Sequence, residues 1–315
     1  IFRSTNDGAL WLKTNNGLTD TTIMTIAFIG SNIFIGTYGG GVFRSNDNGF
    51  KWDQINNGLL NTKIISLVAY GTKLYAATGS GVFLSSNNGD NWTIINDGMG
   101  TNNYTLSLIV MGYSIFVGTN YSEGNTISYP YPTDGGLFVS TNAGTKWNYL
   151  NNELKYHSVN SFAGNEKSFF TATANGGFYL SVNLGISWKS IKSNLPESYN
   201  NSIAADDTYI FVGTIDKGIW RRFVSEVITD VKGLEKIPDE YQLSQNYPNP
   251  FNPTTVIEYT IPFTSYVSLE IFDVLGKNVY SVHKELQSSG RHKIQFDGSK
   301  LVSGIYFYTL KTTNF

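Results

Sequence analysis

The feature that most constrains the fold is a short motif, Ser-x-Asp/Asn-x-Gly-x-x-Trp, which occurs five times in the chain. Measured between their tryptophans, successive copies lie 41, 40, 55 and 41 residues apart. A nearly constant interval of this length indicates supersecondary units that stack on one another. The five copies are Ser4-Asn6-Gly8-Trp11, Ser45-Asp47-Gly49-Trp52, Ser85-Asn87-Gly89-Trp92, Ser140-Asn142-Gly144-Trp147 and Ser181-Asn183-Gly185-Trp188.

Each unit also carries the pattern of four short strands. In the unit at 62–100, the predicted strands cover 64–69, 73–78, 81–85 and 92–95. Alternation of apolar and polar residues over four to six positions, bounded by Gly and Asn, predicts strands and not helices. Four strands in about 40 residues, repeated along the chain, are typical of the blades of a β-propeller.

The motif is suited to closing a tight turn between two strands of a blade. Its glycine permits the positive φ that such a reversal needs. Its serine and Asp or Asn side chains can hydrogen-bond the main chain of the turn. The tryptophan can bury a large apolar face between blades while its N–H reaches a carbonyl. We therefore expect a structural role for the motif.

These motifs resemble the Asp-box (BNR) repeats of sialidases, sortilin-type receptors, xyloglucan-hydrolysing enzymes and photosystem II assembly-factor-like proteins. The resemblance implies an all-β fold, with 1–224 forming a propeller of five to seven four-stranded blades and with the boxes structural. Residues 11–14 could complete the last blade and close a five-bladed ring. However, residues 1–4 look like the third strand of an earlier blade. We therefore expect six or seven blades and a chain that begins inside a longer, truncated protein.

The composition changes near residue 225, and 225–241 is interpreted as a linker because it lacks every landmark of the repeat. A proline-rich run follows, in which three prolines within six positions fix an extended path. Short alternating segments separated by turn residues then predict a small antiparallel β-sandwich over 242–315. The residues of the proline-rich run are Tyr247, Pro248, Asn249, Pro250, Phe251, Asn252 and Pro253.

This run and a second motif, Ser303-Gly304-Ile305-Tyr306-Phe307, resemble the type A C-terminal sorting domain of the type IX secretion system of Bacteroidetes. The resemblance implies the secretion machinery as a partner, and a protein secreted or held at the outer-membrane surface of a Gram-negative bacterium. The family normally ends in a further Lys-rich apolar strand, so we expect the domain to be incomplete at its end. The alternative is a generic sandwich that binds carbohydrate.

Composition excludes several classes of function. The chain has no cysteine, so disulfides, thiolate nucleophiles and cysteine-ligated metals are excluded. Its net charge of −2 provides no basic field for nucleic acid, and no segment has the length of an apolar membrane span. His157 is the sole histidine of 1–224, which leaves no histidine cluster for a metal or a catalytic triad. We expect no cofactor and no metal site.

The interval of 55 residues is explained by an insertion at 120–134, between the second and third strands of its unit. Long loops often carry function, and aromatic rings beside carboxylates suit sugar stacking and hydrogen bonding. Packing of the loop over the ring as a cap is the other interpretation. The candidate ligand-binding residues in the insertion are Tyr121, Glu123, Tyr129, Tyr131 and Asp134.

No catalytic residue can be assigned. A sialidase needs three converging arginines, whereas Arg3, Arg44 and Arg221 occupy one equivalent position beside the box. Another glycosidase needs a pair of carboxylates, and no spacing marks such a pair among the candidates. We therefore expect a non-enzymatic propeller that binds glycan or protein through its loop face, which is the face that carries the connections between second and third strands and those between successive units. The alternative is a secreted glycoside hydrolase of the xyloglucanase type. The candidate carboxylates are Glu123, Asp134, Asp20 and Asp216.

Overall fold

The structure is a computed structural model of the chain. It describes all residues except 101–102, 113, 123–132, 151–152, 166–167, 175–176, 192–199, 231–239, 263–264, 288–289 and 313–315. By its contacts, the chain divides into two compact units. One comprises Ile1–Asn165, Phe170–Leu180 and Trp188–Asp230, and the other comprises Glu166–Phe169, Ser181–Ser187 and Val231–Phe315.

The chain up to Asp230 is built from consecutive antiparallel sheets. Four of them are complete blades of four strands, formed by β3–β6, β7–β10, β11–β14 and β15–β18, with a two-stranded sheet before them and a three-stranded sheet after them. The strands are β1 Phe2–Arg3, β2 Leu12–Lys13, β3 Ile23–Ile29, β4 Asn32–Thr37, β5 Val42–Ser45, β6 Asp53–Gln54, β7 Ile64–Tyr70, β8 Lys73–Thr78, β9 Gly81–Ser85, β10 Thr93–Ile94, β11 Thr105–Met111, β12 Ser114–Ser122, β13 Thr133–Ser140, β14 Asn148–Leu150, β15 Val159–Gly164, β16 Phe169–Thr173, β17 Phe178–Ser181, β18 Lys189–Ser190, β19 Asn200–Ala205, β20 Tyr209–Thr214 and β21 Gly218–Phe223.

The blades stack through their flat faces. The first strands of successive blades lie side by side, so β3, β7, β11, β15 and β19 form the inner row. Because neighbouring residues of a strand point to opposite faces, each blade contributes to two cores. In β4, Phe34 packs against the second complete blade, while Ile35 packs on the opposite face with Trp52. This stacking of four-stranded sheets is a β-propeller, as the sequence predicts.

All five boxes adopt the same hydrogen-bonded turn. The serine Oγ accepts a hydrogen bond from the glycine N–H, at 2.8–2.9 Å, and donates to the Asp or Asn Oδ1. That oxygen in turn accepts the N–H four residues further on, at 2.9–3.0 Å. Every box glycine has a φ between 79° and 88°. Glycine is thus the residue that this turn accommodates without strain.

The box tryptophans connect adjacent blades. Trp52, Trp92, Trp147 and Trp188 are at most 4% exposed. The indole N–H of the first three donates to a main-chain carbonyl of the segment before its blade, which satisfies the polar atom of an otherwise apolar ring. These distances are 2.9 Å from Trp52 to Thr14, 2.8 Å from Trp92 to Ile55 and 2.6 Å from Trp147 to Ile95.

The main chains of adjacent blades also touch beside these tryptophans. A Cβ on Gly17, Gly58 or Gly98 would lie only 2.0–2.2 Å from the carbonyl oxygen of the next blade's tryptophan. Glu153 follows the third complete blade at the equivalent place, and its carboxylate accepts the N–H of Trp188 at 2.9 Å. At the other three described joints, main-chain carbonyls of Asn16, Asn57 and Asp97 accept the corresponding tryptophan N–H, so a side-chain acceptor replaces a main-chain acceptor at the fourth.

The two ends of the blade series differ from the complete blades. Residues Leu12–Lys13 pair with Phe2–Arg3 and do not complete the last sheet, so the described chain does not adopt the five-bladed closure. Trp11 is 59% exposed, unlike the other box tryptophans. It belongs to the first sheet of the chain, and the stacking that buries the others requires a preceding sheet.

The segment expected to be a linker begins with a helix, α1 Val224–Asp230. Val224 and Val227 are buried, and the Val224 N–H donates to the Thr208 carbonyl at 2.9 Å. Two valines three residues apart place one apolar stripe on a single face of the helix. The helix directly follows β21 and packs against the last sheet of the propeller.

The C-terminal part is a sandwich of two three-stranded sheets, ordered β22-β23-β26 and β25-β24-β27. Alternate residues of β23 and β24, including Ile257, Tyr259, Leu269 and Ile271, form its core with Phe296. The strands are β22 Gln242–Leu243, β23 Thr254–Ile261, β24 Ser265–Phe272, β25 Asn278–Gln287, β26 Gly290–Asp297 and β27 Phe307–Lys311.

We predict that Trp52→Ala lowers the free energy of unfolding by about 3–5 kcal/mol, because it truncates a buried aromatic side chain. Trp92→Ala and Trp147→Ala should have similar effects. Trp11→Ala changes the same box position where the ring is exposed, and it should cost less than about 1 kcal/mol. Urea unfolding followed by circular dichroism measures both. Equal losses at Trp11 and Trp52 would show that stacking between blades does not contribute the stability.

We also predict that limited proteolysis first cleaves the chain between Asp230 and Tyr241, since few contacts cross a boundary between compact units. Mass spectrometry of the first products should find fragments that end or begin within this interval. Initial cleavage inside the second or third complete blade would contradict the division into two units.

Candidate functional site

Strand direction defines the two faces of the propeller. The boxes join the third and fourth strands of each blade and lie at one face. The opposite face carries the connections between second and third strands, together with those that enter the first strand of the next blade. We call this opposite face the loop face. The described edges of the insertion, 120–122 and 133–134, lie on it.

The structure brings together two of the five residues predicted to bind ligand. Tyr121 is the cross-strand partner of Asp134, and Ser122 is the partner of Thr133, so the ladder between β12 and β13 closes the base of the insertion. The Tyr121 N–H donates to the Ser158 hydroxyl at 2.9 Å, which ties this base to the connection entering the fourth complete blade. Glu123, Tyr129 and Tyr131 lie outside the described residues.

That connection adds a residue that sequence reasoning missed. The Tyr156 ring meets the Tyr121 ring edge to face at 5.8 Å, and the Tyr156 N–H donates to the Asp134 carbonyl at 2.7 Å. Tyr156 is 52% exposed and has a φ of 66°. A positive φ on a bulky residue is uncommon and marks strain held by the surroundings. Lys155 places its ammonium 4.7 Å from the centre of the same ring.

His157 forms hydrogen bonds with residues on both sides of this cluster. Its carbonyl accepts the Gly136 N–H at 2.9 Å, and its Nε2 lies 3.1 Å from the Tyr179 hydroxyl. Its Nδ1 lies 3.0 Å from the Lys155 carbonyl. Both ring nitrogens are therefore engaged within the protein.

One buried hydroxyl at the site, that of Tyr149, lacks a hydrogen-bond partner within the described part of the chain. Tyr149 Oη is buried, and none of the described residues hydrogen-bonds it. A Cβ on Gly136 would lie 2.9 Å from this oxygen, so the glycine leaves it room. Burial, followed by the charge of Asp134, raises the pKa of Tyr149 to about 12. The hydroxyl is therefore neutral at physiological pH and retains the ability to donate and to accept a hydrogen bond.

The other candidate carboxylates and arginines do not converge on this cluster. Asp20 accepts the main-chain N–H groups of Thr22, Gly39 and Gly40 at 2.7–3.0 Å, and the bond from Thr22 contributes most to holding the pKa of Asp20 below its usual value. This carboxylate is committed to a turn.

The arginines lie at the box side of the blades. Arg44 pairs with Asp90 at 2.7 Å, Arg3 lies over the Phe50 ring and Arg221 lies over the Tyr209 ring. Asp216 lies in the turn between β20 and β21. Among the described residues, no group of three or more His, Asp or Glu side chains could hold a metal ion.

The sandwich brings its two sequence motifs together. A cavity of about 470 Å³ is lined by Asn249 and Phe251 from the proline-rich run and by Gly304 and Tyr306 from the second motif. Its inner wall includes Phe296, which meets Phe251 edge to face at 5.9 Å. Tyr247 lies outside the cavity lining and is 81% exposed.

Comparison with protein families assigns both parts. Residues 1–226 match the DUF6242 β-propeller domain. The chain belongs to the DUF6242 β-propeller family. Residues 245–315 match the secretion system C-terminal sorting domain. The DUF6242 protein is therefore exported by the type IX secretion system to the cell surface or the extracellular space, which confirms the localisation predicted from the sequence.

Solved structures resemble the DUF6242 protein at the level of fold. The GH74 xyloglucanase from Xanthomonas campestris has 12% identity and a TM-score of 0.56 over 86% of this chain and 53% of its own. YCF48 from Cyanidioschyzon merolae has 14% identity and a TM-score of 0.52 over 81% and 84%. YCF48 bound to D1 peptide has 11% identity and a TM-score of 0.51 over 79% and 78%. The chain thus spans about half of the Xanthomonas enzyme.

A search of curated proteins found no match to the DUF6242 protein. Among its described residues, no helix combines the length and the hydropathy that a bilayer crossing requires.

We predict that Gly135→Ala lowers the free energy of unfolding by about 2–3 kcal/mol, because the added methyl meets a main-chain oxygen at an unfavourable φ. Gly135 has a φ of 63°, and its Cβ would lie 2.5 Å from the His157 carbonyl. Gly71→Ala is the matched control, since Gly71 has a φ of 59° with nothing within 4 Å. It should cost about 1 kcal/mol. Urea denaturation compares them, and equal losses would contradict the close approach at Gly135.

Proposed function

We propose that the propeller is a non-enzymatic module that binds an extracellular glycan through the loop face of its third complete blade. The observation that carries the proposal is the contact of Tyr121 with Tyr156 directly beside Asp134. Aromatic rings provide flat apolar surfaces for the faces of sugar rings, and carboxylates accept hydrogen bonds from sugar hydroxyls.

The construction of the cluster supports a binding role. The residues come from both edges of the insertion and from the neighbouring connection, and main-chain hydrogen bonds fix their positions. Such preorganisation lowers the entropic cost of binding a ligand. The half-exposed ring of Tyr156 is accessible, and the strain in its main chain is consistent with a functional position.

A glycoside hydrolase of the GH74 type is the second candidate, because the fold resembles solved GH74 enzymes. Hydrolysis needs a general acid and a second carboxylate at a defined separation. Asp20 accepts main-chain N–H groups from Thr22 and from the turn between β4 and β5, which leaves Asp134 as the carboxylate within the described cluster. Hydrolysis needs two carboxylates and the described cluster contains one, which favours binding over hydrolysis.

We further propose that the sorting domain is the part of the chain that the secretion machinery contacts. The family match at 245–315 supports this assignment. The cavity at the junction of its two motifs is a candidate contact surface.

The loop face can be tested by exchanging the insertion. Since Ser122 and Thr133 are paired, replacing 123–132 by Asn-Gly should close the ladder as a two-residue hairpin and leave the blade intact. Tyr156→Ala is an independent variant, and Tyr70→Ala is its control. Tyr70 is also partly exposed, but it lies at the end of β7 that faces the box side, away from the loop face. We expect glycan binding to be lost on loop exchange and weakened roughly two- to tenfold by Tyr156→Ala.

A glycan array, followed by calorimetry with the best ligand, measures these effects on variants that melt like the parent chain. Unchanged binding in both loop-face variants would contradict the assigned site. Binding to proteins but to no glycan would contradict the ligand class. Release of reducing sugar from xyloglucan by the parent chain would favour the hydrolase.

A further inference from the structure

A second group of residues on the loop face is centred on the Lys63 ammonium. Lys63 precedes β7, and its Nζ donates to the Tyr104 hydroxyl at 2.7 Å. The same Nζ lies 4.4 Å from the centre of the Tyr38 ring and 5.4 Å from the centre of the Tyr104 ring. Tyr38 follows β4 and Tyr104 precedes β11, so three successive blades supply this group. We call it the lysine group.

The lysine group is continuous with the cluster at Tyr121. The Tyr104 carbonyl accepts the Asn120 N–H at 3.0 Å, and Asn120 directly precedes Tyr121. Tyr38 and Tyr156, one in each group, are about half exposed. Tyrosine rings therefore follow the loop face from the first complete blade to the connection that enters the fourth.

The positive charge of Lys63 is not neutralised within the described part of the chain. No described carboxylate lies within 4.0 Å of its ammonium, whereas Arg44, a partly buried cation at the box side, pairs with Asp90. Aromatic rings attract a cation but leave its charge in place. Burial opposes the charged form, yet hydrogen bonding to Tyr104 and the contact with Tyr38 raise the pKa of Lys63 above its usual value. The ammonium is therefore charged at neutral pH.

Lys155 repeats this arrangement beside the other cluster. Its ammonium lies over the Tyr156 ring, and no described carboxylate forms an ion pair with it. The carboxylate of Asp20, on the same face, is held by main-chain N–H groups. The loop face thus presents two ammonium groups beside tyrosine rings. Lys63 has no described carboxylate within ion-pair distance, whereas the charge of Asp134 acts on Lys155.

We propose that the glycan bound by this face is acidic, with the carboxylate of a uronic acid pairing with Lys63. Uronic acids combine a sugar ring, which an exposed tyrosine can contact, with a carboxylate, which an ammonium binds in a charge-assisted hydrogen bond. A half-exposed Tyr38 beside an ammonium that has no described carboxylate partner offers both interactions at one place. The proposal rests on the proposed function and adds the ligand class and a second contact point.

The test compares an oligogalacturonate with its methyl ester, which keeps the sugar and removes the charge. Isothermal titration of the full chain should show about tenfold tighter binding of the acid than of the ester. Lys63→Gln should remove this preference, so that this variant binds the acid and the ester with equal affinity. Lys73→Gln is the matched control, since Lys73 lies at the opposite end of the β7–β8 hairpin, and it should keep the preference. Raising the ionic strength should weaken binding of the acid alone.

Two additional variants keep the test decisive if Lys63→Gln lowers the melting temperature. Lys63→Arg keeps the charge and should keep the preference, and Tyr104→Phe removes the hydroxyl but keeps the ring. Equal binding of acid and ester by the parent chain would overturn the proposal while leaving the glycan-binding function standing. Loss of the preference in Lys73→Gln would overturn it as well. Tighter binding of oligoglutamate than of the oligogalacturonate would overturn the choice of a sugar.

Discussion

The propeller depends on the burial of an indole between two sheets with its N–H satisfied by a carbonyl of the preceding segment. A tryptophan contributes more apolar area than other side chains, but its N–H must find an acceptor once water is excluded. Trp52, Trp92 and Trp147 each meet this requirement with a carbonyl that precedes their own blade. The same side chain therefore supplies buried area and fixes the position of one blade against another. The box turn matters because it determines the position of the tryptophan, which directly precedes the fourth strand of the blade.

Much of this architecture can be predicted from the sequence, because the determinants are local. In the second complete blade, the predicted strands 64–69, 73–78 and 81–85 correspond to Ile64–Tyr70, Lys73–Thr78 and Gly81–Ser85. Alternation and glycine turns define such short strands within a few residues of sequence. The helix Val224–Asp230 was not predicted, since seven residues are too few to establish a helical period. The exposure of Trp11 was also missed, because burial depends on a neighbouring sheet and the motif does not report it.

The candidate site is less accessible to sequence reasoning. Tyr121 and Asp134 could be found because an insertion drew attention to them. Tyr156 lies in a connection of ordinary length. The only feature of the sequence that points to it is that this connection lies on the same face of the propeller as the insertion. The lysine group is even more difficult to predict from the sequence. Tyr38, Lys63 and Tyr104 come from three different repeats and occupy positions in them that are not equivalent. Only the stacking of the blades brings an ammonium between two rings that are distant in the sequence.

The joints between blades have a mechanical consequence. At Gly17, Gly58 and Gly98 the spacing is set by contact of main chain with main chain, which leaves no rotatable bond to absorb a displacement. At Glu153 the link to Trp188 passes through a side chain with several rotatable bonds. A link through a side chain can change its length by rotation about its χ angles, whereas a contact between main chains changes only if the strands themselves move. This fourth joint adjoins Lys155 and Tyr156 in the sequence. The residues proposed to bind ligand therefore lie next to the joint that a side chain bridges.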